Sequence, residues 1–170
     1  VSADRWKSAA ELKELGYDQD TIARIEIRQE LHADAQLLLT RIDKAFGEIP
    51  RPLITLHVAR GYDDEWSLSQ ERGEELRAMD PETDWREVSG EKLRNFTEYF
   101  SFSNPEGWLF YLPAFMSDEL RDFPFDCHGA ALTFLNPRDP KAALLNNEQM
   151  GCLEAYLNLD GLADSEELYY

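Results

Sequence analysis

Apolar residues recur along this chain at steps of three and four, and alternation with period two is nowhere sustained. The first such segment, SADRWKSAAELKELGY, predicts a short helix with Trp6, Ala9, Ala10, Leu12 and Leu15 on one side. Ser2 or Asp4 is placed to cap it, and Gly16 stands where a left-handed C′ residue is wanted. Asp18 or Asp20 then opens a second helix carrying Ile22, Ile25, Leu31, Ala35, Leu38, Ile42 and Ala45. It runs to Phe46 or breaks near His32, and Gly47 and Pro50 end it. Thr55 can cap a third helix beginning at Leu56, although the β-branched content of LITLHV leaves a strand open there. A helix over Leu68–Met79 is stopped by Asp80-Pro81, and Ser89 caps another with Leu93, Phe96 and Phe100 on one face.

GWLFYLPAFM is the most apolar stretch, and it follows a turn-like SNPEG. Proline suits the first turn of a helix, so Pro113 predicts an extended GWLFYL leading into a helix over PAFMSDELRDF. Its large side chains read as core, with Trp108 and Tyr111 able to reach the surface through their polar ends. Gly129 to Leu135 forms a short apolar element. Asn146 or Asn147 caps a last helix with Met150, Leu153 and Leu157 as its stripe. The expectation is a mainly α, compact domain of about seven helices with at most short extended segments. Residues 1–39 read as a helical extension packed on the core, 40–160 as the main domain and 161–170 as an acidic tail.

Charge changes this picture more than composition does. The 170 residues carry 17 Lys and Arg against 34 Asp and Glu, a net charge of −17. The field repels nucleic-acid phosphates and anionic membranes and favours a cationic partner. Only Arg121, Arg138 and Lys141 are basic beyond position 100, which leaves little to hold a phosphate in the C-terminal half. No apolar run is long enough to cross a membrane, and no signal peptide is visible, so a cytoplasmic location is expected. Cys127 and Cys152 then read as two buried reduced thiols.

Motifs for chemistry are sparse. Of the three histidines, none sits in an HExxH or a paired-cysteine pattern, so no cofactor or metal is expected. His57 with Asp63 and Asp64 is a weak candidate for a hard metal, and a metal-dependent hydrolase is one alternative on that basis. Asp126-Cys127-His128 suggests nucleophile chemistry, but adjacent residues on a helix or strand do not face each other.

Residues 63–87 hold ten acids against Arg72, Arg77 and Arg86, with Trp66 and Trp85 set among them. A solvated helix face is the plain reading of such a run. The functional reading is a surface for a protein with a basic patch. Glu71, Glu74 and Glu75 steer it, and Trp66 and Trp85 anchor it. A second alternative is that these carboxylates imitate the phosphates of a duplex.

The chain also resembles a family of bacterial proteins known only as a domain of unknown function. The resemblance is carried by Ile42-Asp43-Lys44-Ala45-Phe46 with Pro50, and by Ile54-Thr55-Leu56 with Ala59 and Asp63-Asp64. It continues through Trp85, Leu93 and Phe96, Phe110-Tyr111-Leu112-Pro113-Ala114-Phe115 and Glu148-Gln149, covering 40–158. It implies a small intracellular helical domain and no activity for any residue. Acidic proteins of this kind are similar to immunity proteins, which neutralise a toxin by binding it. The expected function is therefore a non-enzymatic, acidic protein-binding module.

Overall fold

The computed structural model describes residues 3–125 and 135–163. Among these are eight α-helices and no strand. Cys127 and His128, and most of the Gly129–Leu135 element, lie outside the described residues.

The N-terminal elements follow from local capping. After a 3-10 turn at Ala3–Trp6, helix α1 spans Ala9–Glu14. Its cap is Ser8 rather than Ser2 or Asp4, because Ser8 and Glu11 satisfy each other's backbone amides in a capping box. Gly16 turns the chain at φ +87°. Asp18 accepts from the Thr21 amide at 2.9 Å and opens α2, Gln19–Phe46. That helix is unbroken at His32 and runs through residues 39 and 40, so the N-terminal extension and the main body share it. Ile22, Leu31, Ala35, Leu38, Ile42 and Phe46 form its buried side.

Helix α3 spans Leu56–Asp64 and α4 spans Gln70–Ala78. LITLHV therefore forms no strand: its first three residues are non-helical, Thr55 is the N-cap, and the helix starting at Leu56 buries Leu56, Val58 and Ala59. A 3-10 turn at Trp85–Glu87 precedes α5, Gly90–Arg94, and α6, Tyr99–Phe102. The single helix expected after Ser89 is thus two, interrupted after Arg94.

The entry to the apolar stretch differs most from expectation. Helix α7 spans Pro105–Leu120, so GWLFYL is helical and Pro113 lies inside the helix. Asn104 caps it, accepting from the Gly107 amide at 2.9 Å, and Pro105 takes the first-turn position that Pro113 was expected to fill. SNPEG has turn composition because Asn at an N-cap and Pro after it are also turn residues. The helix is apolar nearly all round, the pattern of a buried helix rather than a surface one. Trp108, Phe110, Tyr111, Leu112, Phe115 and Met116 are all buried, and Leu109 is partly so. Trp108 donates its indole N–H to the Phe100 carbonyl at 3.3 Å, which satisfies its polar end inside the core.

A 3-10 turn at Pro140–Leu144 leads to α8, Asn147–Ala163, and Asn146 caps it through the Gln149 amide. Helix α7 packs against α2, α5 and both of the later 3-10 turns. Helix α2 also packs against α8 and α1, and Gln29 donates to the carbonyls of Arg5 and Lys7 just before α1. The α3–α4 hairpin joins this body through α3 and α6.

Candidate functional site

The α3–α4 hairpin carries most of the residues that the sequence singles out. Gly61 lets the two helices approach, since a Cβ there would stand 2.5 Å from Leu76 Cδ1. Leu53, Ile54, Val58 and Tyr62 face Gly73, Glu74 and Arg77 across a groove of about 410 Å³. Arg77 donates to the Pro52 carbonyl at one end and Arg72 pairs with Glu65 at the other, so the two helices run antiparallel.

What holds the hairpin is one buried carboxylate. The backbone amide of His57, in the first turn of α3, needs an acceptor, and Thr55 at the N-cap forms no side-chain cap. Asp80, just past the end of α4, supplies it. Its side chain is fully buried and accepts from the His57 amide at 2.8 Å and pairs with His57 Nδ1 at 2.8 Å. Lys92 of α5 reaches the same carboxylate at 2.8 Å and Glu82 at 2.8 Å. Arg51 donates to the backbone carbonyls of Asp80 and Arg77. Asp80 thus caps α3 from a different helix and pins α3, α4 and α5 together.

Burial is the largest influence on the Asp80 pKa and by itself would raise it. Hydrogen bonds from Lys92, the His57 amide, Thr55 and the His57 ring outweigh burial, so the carboxyl stays below its ordinary value. The Thr55 hydroxyl takes part although it is buried without a hydrogen bond of regular geometry. Lys92 mirrors this: burial would lower its pKa, but its bonds to Asp80 and Glu82 leave it raised. Nearby, Tyr99 donates its hydroxyl to the Ile54 carbonyl at 2.8 Å. Burial pushes both Tyr99 and Tyr111 well above the usual phenol range, so both are neutral.

The residues named from sequence are distributed unevenly. Trp66 is fully exposed, in the connection between α3 and α4. Trp85 is only 4% exposed and donates to the Gly47 carbonyl at 3.0 Å. Its role as an anchor is corrected: it is a core residue, because its indole N–H finds an internal partner and its ring packs against the main cluster. Glu71, Glu74 and Glu75 are exposed on α4. Glu75 pairs with Arg72 and Glu74 accepts from Gln70. His57 is turned to Asp80, while Asp63 and Asp64 are exposed at the far end of α3. Among the described residues no group of three or more His, Cys, Asp or Glu is placed to hold a metal.

Sequence reasoning missed Asp80 and Lys92. The only signal was Thr55 without a following Glu or Gln at the third helical position, a helix start lacking its reciprocal partner.

Residues 34–167 match the model of a family of unknown function, DUF6714. The chain belongs to this family. The matched span includes the later part of α2, the α3–α4 hairpin, α7 and α8, so the Asp80 centre and the groove both lie within the DUF6714 region. It extends beyond the 40–158 resemblance at both ends. No curated protein and no solved structure matches the chain. None of the described helices is long and apolar enough to cross a membrane.

Proposed function

We propose that the chain is a non-enzymatic, acidic protein-binding module whose α3–α4 face covers a basic surface of another protein. One observation supports this most: Trp66 and Met79 are exposed within residues 63–87, the segment dense in carboxylates, and Leu53 and Tyr62 are exposed just before it. Exposed aromatic and apolar side chains inside a charged rim are the composition of a contact surface. Five of the ten acids of 63–87 are compensated internally: Glu65 and Glu75 by Arg72, Asp80 and Glu82 by Lys92, and Asp84 by Arg86. Here Asp63, Asp64 and Glu71 form no ion pair among the described residues.

Trp66 takes the anchoring role alone, with Tyr62 and Leu53 beside the groove. Carboxylates of α4 steer the partner and their effect weakens with salt. Immunity or antitoxin action, in which a toxin's basic surface is blocked in a bacterial cytoplasm, is the concrete form. Metal hydrolysis has less support, because Asp80 already engages His57 Nδ1.

Affinity capture at low salt tests the reading, comparing the native chain with Trp66→Ala and with Glu71, Glu74 and Glu75 changed together to Lys. A partner retained by the native chain, lost by both variants and released by salt supports it. No partner, or one held equally by all three, sinks it. A captured partner that DNA displaces would favour nucleic-acid mimicry instead.

A further inference from the structure

The exposed side of α2 carries an ordered run of charges. Glu30, Asp34, Leu37, Arg41 and Lys44 follow one another at steps of four, three, four and three, which places them on one helical stripe. All five are exposed. The stripe reads acid, acid, leucine, base, base. Among the described residues none of the four charges forms an ion pair.

Within one chain this order is unfavourable. Glu30 and Asp34 are like charges at i,i+4, and Arg41 and Lys44 at i,i+3, where such pairs repel. Asp34 and Arg41 are opposite but seven residues apart, roughly 10 Å along the axis, beyond direct contact. Antiparallel apposition of the same stripe reverses each of these relations. The acidic half of one copy then lies over the basic half of the other, and the two Leu37 side chains meet near the two-fold axis.

Beside the stripe lies a groove of about 350 Å³ between α2 and α8. Leu38, Ala155 and Leu159 line it, and Leu37 and Leu162 stand exposed at its edges. Asp34 and Arg41 also line this groove. Charge and apolar surface therefore coincide on one face.

We infer that this face binds a second copy of the chain, as an isologous dimer with α2 antiparallel to α2 of the partner. Asp34 of each copy pairs with Arg41 of the other, and Leu37 of each packs toward the other's α2–α8 groove. A stripe that is its own complement under a two-fold rotation is what an isologous interface requires. The net charge of −17 opposes association at long range. At about 0.15 M salt the screening length is roughly 8 Å, so the whole-molecule repulsion is damped while contact pairs persist. The face is separate from the α3–α4 hairpin, so the inference stands or falls independently of the proposed function.

Sedimentation velocity of the full chain from micromolar to several hundred micromolar, at 0.15 M salt, tests it. The native chain is expected to dimerise. Asp34→Arg or Arg41→Asp alone brings like charges together twice per dimer and should weaken association about tenfold or more. Asp34→Arg with Arg41→Asp restores the complement and should restore the dimer. Circular dichroism confirms that each variant folds, and the restoring double variant separates lost pairing from lost structure. A native chain monomeric throughout overturns the inference. So does a dimer indifferent to both single changes, or a double variant no better than either single one.

Discussion

Replacing Asp80 by Ala removes a side chain that carries little apolar surface, yet three helices depend on it. The cost follows from what is left behind. The His57 amide loses a charge-assisted hydrogen bond inside the protein, worth about 1.5–3 kcal/mol. The His57 ring loses its partner as well. Lys92 is not orphaned, since Glu82 still receives it at 2.8 and 3.0 Å, so the full 3–5 kcal/mol for breaking a buried pair is not reached. The expected loss is roughly 3 kcal/mol, a large share of the 5–15 kcal/mol typical of a folded domain. At about 2–4 °C per kcal/mol for a chain of this size, Tm should fall by roughly 6–12 °C.

Urea denaturation of the native chain, Asp80→Asn and Asp80→Ala across pH measures this, and the sign is fixed. The folded pKa of Asp80 lies below its unfolded value, so its stabilisation is complete above pH 3.8 and is lost as pH falls through the lower folded value. The difference between native chain and Asp80→Asn should stay level from pH 5 to 8 and shrink only in acid below that. Lys92 acts at the other end. Its folded pKa is raised, so its contribution is complete below pH 10.5 and is lost as pH rises through the folded value. A loss under about 1 kcal/mol for Asp80→Ala, or a difference that grows toward low pH, would refute the reasoning.

Three further outcomes follow from burial. Phe115→Ala, like Phe110→Ala, should cost about 3–5 kcal/mol by chemical denaturation, because each ring fills the core around α7. The two tryptophans should separate cleanly. Trp85→Ala should destabilise by a similar amount, whereas Trp66→Ala should shift stability by no more than about 0.5 kcal/mol while weakening capture of a partner. Cys152 is buried and burial pushes its thiol pKa up, so in a Cys127→Ser background it should resist alkylation at pH 8 until the chain is unfolded.

Helix periodicity, caps and stops are local properties, and they were legible from residue order. Asp18, Gly16 and Ser89 act within three or four residues of where they stand, so α2, its entry turn and the start of α5 follow from the chain directly. The mainly α class follows for the same reason. Where two local readings were both satisfied, only packing chose. Pro113 and Pro105 are each acceptable at a helix start, and burial of every residue of GWLFYL but Leu109 goes with Pro105 as the beginning. Trp66 and Trp85 look alike in an acidic segment, but one finds the Gly47 carbonyl and the core while the other finds solvent.

The Asp80 centre shows most clearly what residue order by itself could not specify. Its partners His57 and Lys92 are 23 and 12 positions away, and the three meet only because the α3–α4 hairpin folds back on itself against α5. In sequence Asp80 is one of ten similar carboxylates. A charge becomes distinctive when it is taken out of water, and that depends on which helices cover it. The chain determined its helices and its field through near neighbours. The tertiary structure decided which carboxylate is buried, which tryptophan is exposed, and which charges stay in solvent.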